Sequence, residues 1–326
     1  MPGIGIGISP MLLKNSGIQW SSYWSTRTPS ALVLTALSPT SLRAAWTNAG
    51  LGFDAHSVEI GTDGVTFVEE DTVLIGTNTL DITGLDSGTL YYVRVRAYKG
   101  TEYSPYCDIV SEETIYLPTD LATIFAWYDP EHITGLNDGD TINPFDDSGP
   151  NNYDLNEVVG TPSYEINEIN GKQVLRLDGN EFIRRLSLTL NQPQTWFILA
   201  KRTAGTGTAY LHSYGRDIGF ISDTQIRIAS GTALNHNTGS ILNRALIVTA
   251  IFNGANSLLA VNGDAPTEGN AGTGAGSRIE IGDGYSTYFT GDIGDFIIYD
   301  GAFDTTNRRR IEEYLSWKWG VELEPI

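Results

Sequence analysis

Cysteine is almost absent. Cys107 stands alone in 326 residues, beside only two methionines and four histidines. A single thiol forbids an intrachain disulfide, and no Cys-based zinc or redox centre can be built from it. Basic residues are also scarce, 20 Lys and Arg against 39 Asp and Glu, for a net charge of -19. That field repels a phosphate backbone, so nucleic acid is excluded as an expected ligand. Long hydrophobic runs are missing as well. Nothing reaches the length of a membrane span, and the first residues lack both a basic n-region and a continuous apolar h-region. The expectation is a chain with no membrane insertion and no export signal, which matures where it is made. Helix formers are sparse, whereas Gly (36 residues), Thr, Ile, Val and Tyr are plentiful, the composition of turn-rich β structure. The length suggests about two domains.

The most informative stretch is Gly291 to Gly320, GDIGDFIIYDGAFDTTNRRRIEEYLSWKWG. Phe296, Ile297, Ile298 and Tyr299 form a short β-branched and aromatic run bounded by Gly and Asp, which predicts a buried strand. Asp304 is a suitable N-cap. Ile311, Tyr314, Leu315 and Trp319 recur at spacings of three and four, so a helix follows with one face against a core.

The opposite end reads differently. Gly3, Ile4, Gly5, Ile6, Gly7 and Ile8 alternate, so in a strand all three isoleucines point one way and the other face is bare backbone. Such a strand gains only if another surface covers its stripe. Residues 1–27 are therefore expected to be a docking arm that adds to a partner by strand augmentation, with Ile4, Ile6, Ile8, Met11 and Leu12 as its contact residues. Trp20, Tyr23 and Trp24 either anchor its far end or pack on the next domain.

Residues 28–116 read as a small sandwich. Leu32 and Leu34, then Leu42, Ala44 and Trp46, alternate in two runs. Val58 and Ile60 lead to a turn at Thr62-Asp63-Gly64 and a strand expected from Val65 through Phe67. Leu80 and Ile82 precede Gly84. Tyr91, Val93, Val95 and Ala97 alternate strictly with Tyr92, Arg94 and Arg96, so that strand is half buried. With Trp46, the stretch L-D-S-G-T-L-Y-Y-V-R-V-R-A from Leu85 to Ala97 resembles a fibronectin type III domain, in which Tyr91 takes the tyrosine-corner position. Ser87 stands where that family often has proline. Such modules are mostly spacers or interaction platforms. Trp46 is expected in the core, and Cys107 as an inert strand residue.

Residues 117–326 form the last expected domain, after a hinge at Leu117-Pro118-Thr119-Asp120. Val174, Leu175 and Leu177, then Trp196 to Leu199, then Ile247 to Phe252, then Leu258 to Val261 are short apolar runs that two packed antiparallel sheets would bury. Asn262-Gly263 signals a hairpin turn, and Gly269 to Ser277 a glycine-rich loop. That loop is followed by a strand and not a helix, so it makes no phosphate cradle. The pieces A-W-Y-D-P at Ala126, D-D-S-G-P-N-N-Y-D at Asp146, P-S-Y-E-I-N at Pro162, V-L-R-L-D-G at Val174, T-W-F-I-L-A at Thr195, L-L-A-V-N-G at Leu258 and R-I-E-I-G-D-G at Arg278, with the closing strand and helix, resemble concanavalin A-like, laminin-G-like jelly rolls. Such domains are common in bacteriophage virion proteins and in bacterial surface proteins. The opening G-I-G-I-G-I-S-P resembles the start of structural proteins of Bacteroidetes phages.

Catalytic patterns are not evident. Some concanavalin A-like folds are glycosidases, which need two carboxylates roughly 5 to 9.5 Å apart. Glu280 and Asp283 are three apart and fall on opposite faces of a strand, and Glu165 and Glu168 are expected to fail for the same reason. His56, His132, His212 and His236 lie far apart without metal-ligand spacing, and each is expected on the surface or in a loop. No G-x-S-x-G elbow occurs. The laminin-G resemblance implies a sugar or Ca²⁺ at the sandwich rim, where Asp138, Asp140, Asp146 and Asp147 lie close in sequence and Asp283, Tyr285 and Tyr288 share another loop. Ordinary turn chemistry accounts for those acids too, and no site or cofactor is assigned.

The expected whole is an all-β chain: docking arm, fibronectin type III-like sandwich, and concanavalin A-like jelly roll with a short C-terminal helix. The function it implies is structural, as a bacteriophage head fibre or decoration or a tail-fibre component, without enzyme activity. The arm would bind other virion proteins of capsid or tail, and its open edge implies a homo-oligomer. The protein would assemble in the host cytoplasm and stand on the virion surface, holding host-surface or mucosal glycans by weak multivalent contacts. The alternative is a free cell-surface or secreted carbohydrate-binding protein, and a glycoside hydrolase has least support.

Overall fold

The structure is a computed structural model that describes residues 23–48, 50–204, 208–212, 215–282 and 288–325. The contact residues expected of the arm, Ile4, Ile6, Ile8, Met11 and Leu12, lie outside the described residues, as does Trp20. The chain divides between Thr114 and Ile115 into two compact units, against the 116/117 boundary expected from sequence.

In the first unit β1 (Ser30–Ser38), β2 (Ser41–Thr47) and β5 (Thr79–Thr83) form one antiparallel sheet. β4 (Val68–Leu74), β3 (Ala55–Gly61), β6 (Leu90–Lys99) and β7 (Glu102–Tyr103) form the other, and β8 (Val110–Glu113) also pairs with β6. The alternating residues close the core between them: Leu32, Leu34, Leu42, Trp46, Val58, Ile60, Ile82, Tyr91, Val93 and Val95 are all buried. Tyr91 makes the expected corner, its hydroxyl accepting from the Asp86 amide at 3.0 Å. Trp24 is buried against Phe53 and Ala97, so the chain joins this unit by residue 24.

Three expectations here are corrected. Strand β4 begins at Val68, because the Asp63 carboxylate takes the amides of Val65 and Thr66 (2.8 and 2.7 Å) and prolongs the turn. Val65 is consequently 81% exposed. Cys107 lies in no strand, although its amide donates to Val95 and its sulfur accepts the Val95 amide. Burial raises its thiol pKa, consistent with an unreactive side chain. His56 is fully buried between Trp46 and Phe53, with ring centroids 5.2 and 4.6 Å away.

The second unit is built on an eight-stranded antiparallel sheet. Its order is β11 (Ser163–Ile169), β12 (Lys172–Asp178), β23 (Thr290–Asp300), β14 (Gln194–Arg202), β19 (Ala245–Phe252), β20 (Ser257–Val261) and β21 (Thr267–Gly269), and β9 (Ile124–Tyr128) pairs with β23 beyond the end of β12. Facing it are a three-stranded sheet of β10 (Glu157–Val159), β13 (Phe182–Leu190) and β22 (Gly276–Ile281), and a four-stranded sheet of β15 (Ala209–His212), β16 (Asp217–Ser222), β17 (Gln225–Ala229) and β18 (Ala233–Asn237). The amide of Gly282 donates to Leu211 at 2.9 Å and links these two smaller sheets. Between the layers lies an apolar core that includes Trp196, Phe220, Phe252, Phe289 and Phe296.

The outer face of the large sheet is covered by helix α1 (Thr305–Trp319). Asp304 caps it by accepting the Asn307 amide at 2.8 Å, and Gly320, in the left-handed conformation at φ 65°, ends it. Ile311, Tyr314, Leu315 and Trp319 bury against Phe197, Leu199, Ile247, Ile297 and Tyr299. Burial of each such side chain is worth about 1.5–3 kcal/mol, a large share of what holds the helix to the sheet. Leu117-Pro118-Thr119-Asp120 is not a hinge. Pro118–Asp120 form a 3₁₀ turn, Pro118 is buried, and its carbonyl accepts the Tyr299 hydroxyl at 2.9 Å.

Candidate functional site

The residues that build the site come together because β23 contains a bulge. Ile198 pairs with Phe296 but Ala200 pairs with Ile293, so Leu199 faces two residues, Gly294 and Asp295. Ile293 and Phe296 both point into the core between the sheets, and the extra residue turns Asp295 to the outer face, under α1. Glycine is required beside it: a Cβ on Gly294 would lie 2.6 Å from both Leu199 Cδ2 and Trp319 Cζ2. Trp319 therefore closes directly on the backbone.

Asp295 is completely buried and is a hub for three donors. Trp127 Nε1 donates to one oxygen at 2.6 Å and Trp319 Nε1 to the other at 2.5 Å. Lys318 Nζ lies 2.9 Å from Asp295 and donates to Asp129 Oδ2 at 2.6 Å. Asp129 in turn caps the turn Pro130–His132, its Oδ1 accepting the Glu131 amide at 2.9 Å. Burial, and then the charge of Asp295, push the Asp129 carboxyl up to about 6 against the opposing pull of Lys318. Burial alone would lower the Lys318 ammonium, but the two carboxylates outweigh it and raise its pKa. This buried acid–base–acid triad ties strand β9, strand β23 and the last turn of α1 at one point.

Over the triad opens a groove of about 410 Å³, lined chiefly by Trp127, His132, Tyr314, Trp317 and the Glu131–Lys172 pair. Trp317 is 43% exposed, the one indole of α1 that does not turn to the sheet. Lys172 Nζ donates to Glu131 Oε2 at 2.7 Å, a salt bridge about three-quarters covered on each side. A second cavity of about 240 Å³ shares Asp129 and His132 and reaches Asp146 and Asp147. The arrangement presents an aromatic floor with a polar rim, which suits recognition of a small amphipathic ligand.

The acids singled out in the sequence are placed as follows. Asp147 is spent on backbone, accepting the amides of Trp127, Gly149 and Tyr153 at 2.8–2.9 Å. Asp146 lines the second cavity, and burial, with Asp154 nearby, raises its pKa. Asp138 accepts the Ile166 amide and Asp140 the Asn137 amide, away from the groove. Asp283 and Tyr285 lie outside the described residues, and Tyr288 is half-buried. Among the described residues no group of three or more His, Cys, Asp or Glu side chains is arranged to hold a metal ion.

Glu165 and Glu168 are corrected. A register shift in β11, with Asn167 at φ 64°, brings both to the same guanidinium, at 3.6 and 2.8 Å from Arg176, which also binds Asp292 at 2.7 Å. The pair is thus neutralised by an arginine and not poised across a cleft. Glu280 is likewise held between Arg184 and Arg278. Three of the four histidines are corrected too. Besides His56, His212 is buried with Nδ1 2.5 Å from the Arg216 carbonyl, and His236 is buried against Asp264 (2.8 Å) and Thr267 (3.0 Å). Only His132, at the groove, has an exposed side chain among the four. Asp129, Lys318 and Asp295 were not singled out as site residues in the sequence. The run W-Y-D-P and the second tryptophan in W-K-W were the visible signals.

Comparison with known proteins bears on the first unit. Residues 27–110 match the fibronectin type III domain family. Similar solved structures include a computer-based redesign of a β-sandwich protein (22% identity, 28% of this chain and 92% of that one, TM-score 0.25). Others are a myokine (21% identity, 27% and 96%, TM-score 0.24) and the sixth fibronectin type III domain of human fibronectin type III domain containing protein 3 (21%, 28% and 85%, TM-score 0.24). No curated protein matches the chain. With its two sheets, its buried Trp46 and its tyrosine corner at Tyr91, the segment from residue 27 to residue 110 is a fibronectin type III domain.

Proposed function

We propose that this chain is a structural, non-catalytic appendage protein of a bacteriophage particle. The stretch ahead of Trp24 docks it on capsid or tail proteins, and the two β units, the second of them concanavalin A-like, are displayed as a homo-oligomer on the virion surface after assembly in the host cytoplasm. The observation that carries this reading is the fibronectin type III domain set before a second β unit with its own core, a modular order suited to spacing and display. The Gly/Ile opening and the resemblance of the second unit to virion jelly rolls support the phage setting. Multivalent display would turn weak glycan contacts into firm attachment. The aromatic groove favours a second reading, a free carbohydrate-binding protein.

Mass spectrometry of intact purified phage particles, with light scattering of the recombinant chain, separates the two. Many copies per particle and an oligomer in solution are expected. A chain absent from every particle, and monomeric, would overturn the virion reading in favour of the free binding protein.

A further inference from the structure

We propose that the groove over the Asp129–Lys318–Asp295 triad is a binding site for a neutral pyranoside, a sugar ring stacked on Trp317 and held at its hydroxyls by Glu131 and Lys172. The inference deepens the glycan contact in the function proposed above and rests on that reading for its biological setting, but not for its chemistry.

Three observations lead to this ligand class. The first is the aromatic floor. Trp317 is 43% exposed beside the buried Tyr314, with ring centroids 6.2 Å apart, and Trp127 lies 6.2 Å beyond Tyr314. A π face is negative, and the C–H groups on one side of a pyranose ring are weakly positive and apolar, so the two surfaces are complementary. The second is the rim. Glu131 and Lys172 offer an acceptor and a donor 2.7 Å apart, each about one-quarter exposed. A hydroxyl both donates and accepts, and neighbouring sugar hydroxyls can engage both members of such a pair without separating them.

The third observation decides against charged ligands. Both ammonium groups in the groove are already matched, Lys172 by Glu131 and Lys318 by two carboxylates, so an anionic ligand finds no uncommitted lysine. A cation would seek the ring faces, yet at Tyr314 and Trp127 Lys318 Nζ already occupies that role, 5.7 Å from the first ring centre and 6.0 Å from the second, which leaves only the face of Trp317. What remains is a neutral, polyhydroxylic ligand with one flat apolar face. The volume of about 410 Å³ falls in the usual range for small-molecule sites. The buried triad is the support that keeps the groove open in one shape, because it fixes Trp127, Trp319 and the end of α1 to the sheet.

The test uses the full chain and saturation-transfer NMR against neutral oligosaccharides (β-glucan, xylan, mannan and N-acetylglucosamine oligomers), with heparin fragments and tetramethylammonium as charged probes. At least one neutral oligosaccharide is expected to receive saturation at its ring C–H protons. Trp317→Ala should weaken its binding about ten-fold or more, the loss expected of an aromatic anchor. Because Trp317 is substantially exposed, that variant should unfold at the wild-type temperature. Lys172→Met and Glu131→Gln should each weaken binding by a smaller factor. The proposal is overturned if no neutral oligosaccharide of the panel binds, if binding survives Trp317→Ala unchanged, or if only a charged probe binds at the groove. The particle measurement is independent. A chain found in virions without Trp317-dependent binding refutes this site alone, whereas Trp317-dependent binding by a chain absent from particles refutes the virion reading alone.

Discussion

Replacing Asp295 with alanine should unfasten the end of α1. The carboxylate accepts two indole N–H groups at 2.6 and 2.5 Å and lies 2.9 Å from Lys318, all inside the protein. A hydrogen bond to a charged partner is worth about 1.5–3 kcal/mol, and two are lost together with one ion pair. Removal also relieves the repulsion that raises Asp129, leaving Lys318 in a balanced pair with it, so part of the loss is returned. The terms share one site and do not simply add. A net loss of about 3 kcal/mol is expected, which for a unit of this size lowers the midpoint by roughly 6–12 °C. Calorimetry gives the shift, and tryptophan fluorescence during urea unfolding should report it. Asp295→Asn keeps the volume and one acceptor but turns an NH₂ toward the second indole, and about half the loss is expected. If Asp295→Ala cost less than about 1 kcal/mol, the claim that the triad holds the helix to the sheet would be wrong.

Other consequences are open to measurement. Burial lowers the His56 pKa to about 4 from an ordinary 6.5. The fold therefore favours the neutral ring, and stability present above pH 6.5 is lost as the pH falls toward 4, by up to about 3 kcal/mol. Urea midpoints at pH 7 and pH 4.5 should differ less in His56→Leu than in the wild type, and equal differences would refute the assignment. Gly294→Ala places a Cβ against Trp319 and Leu199 and should cost about 1–3 kcal/mol, seen as a lower melting temperature. Tyr91→Phe removes only the corner bond to the Asp86 amide, and a loss of about 0.5–1.5 kcal/mol in the urea-unfolding free energy is expected.

Much of the architecture was legible because it rests on local periodicity. Tyr91, Val93, Val95 and Ala97 alternate with Tyr92, Arg94 and Arg96, and period two can mean only one thing in a half-buried strand. The face of α1 and its cap at Asp304 were legible for the same reason, since both are set within a few residues. Arg94 and Arg96 show where local reading stops. Their side of the strand was seen, but not that their guanidinium groups stack between Phe67, Tyr106 and Tyr103 and share Glu59. His56, His212 and His236 run against the surface position that polarity argues for, and His56 is accommodated as a neutral ring among aromatics.

What the sequence determined by itself was the β character, the fibronectin type III module with its tyrosine corner, and the amphipathic closing helix. Tertiary structure alone decided the candidate site. Asp129 and Lys318 are 189 residues apart, Trp127 and Asp295 are 168 apart, and no spacing rule connects them. A one-residue bulge at Gly294 and Asp295 turns a carboxylate to the outer face, and a similar slip in β11 joins Glu165 and Glu168 on Arg176. In a strand, side-chain direction has a period of two, so one extra residue reverses every inference of facing, and where a bulge falls is settled by how neighbouring strands and α1 pack.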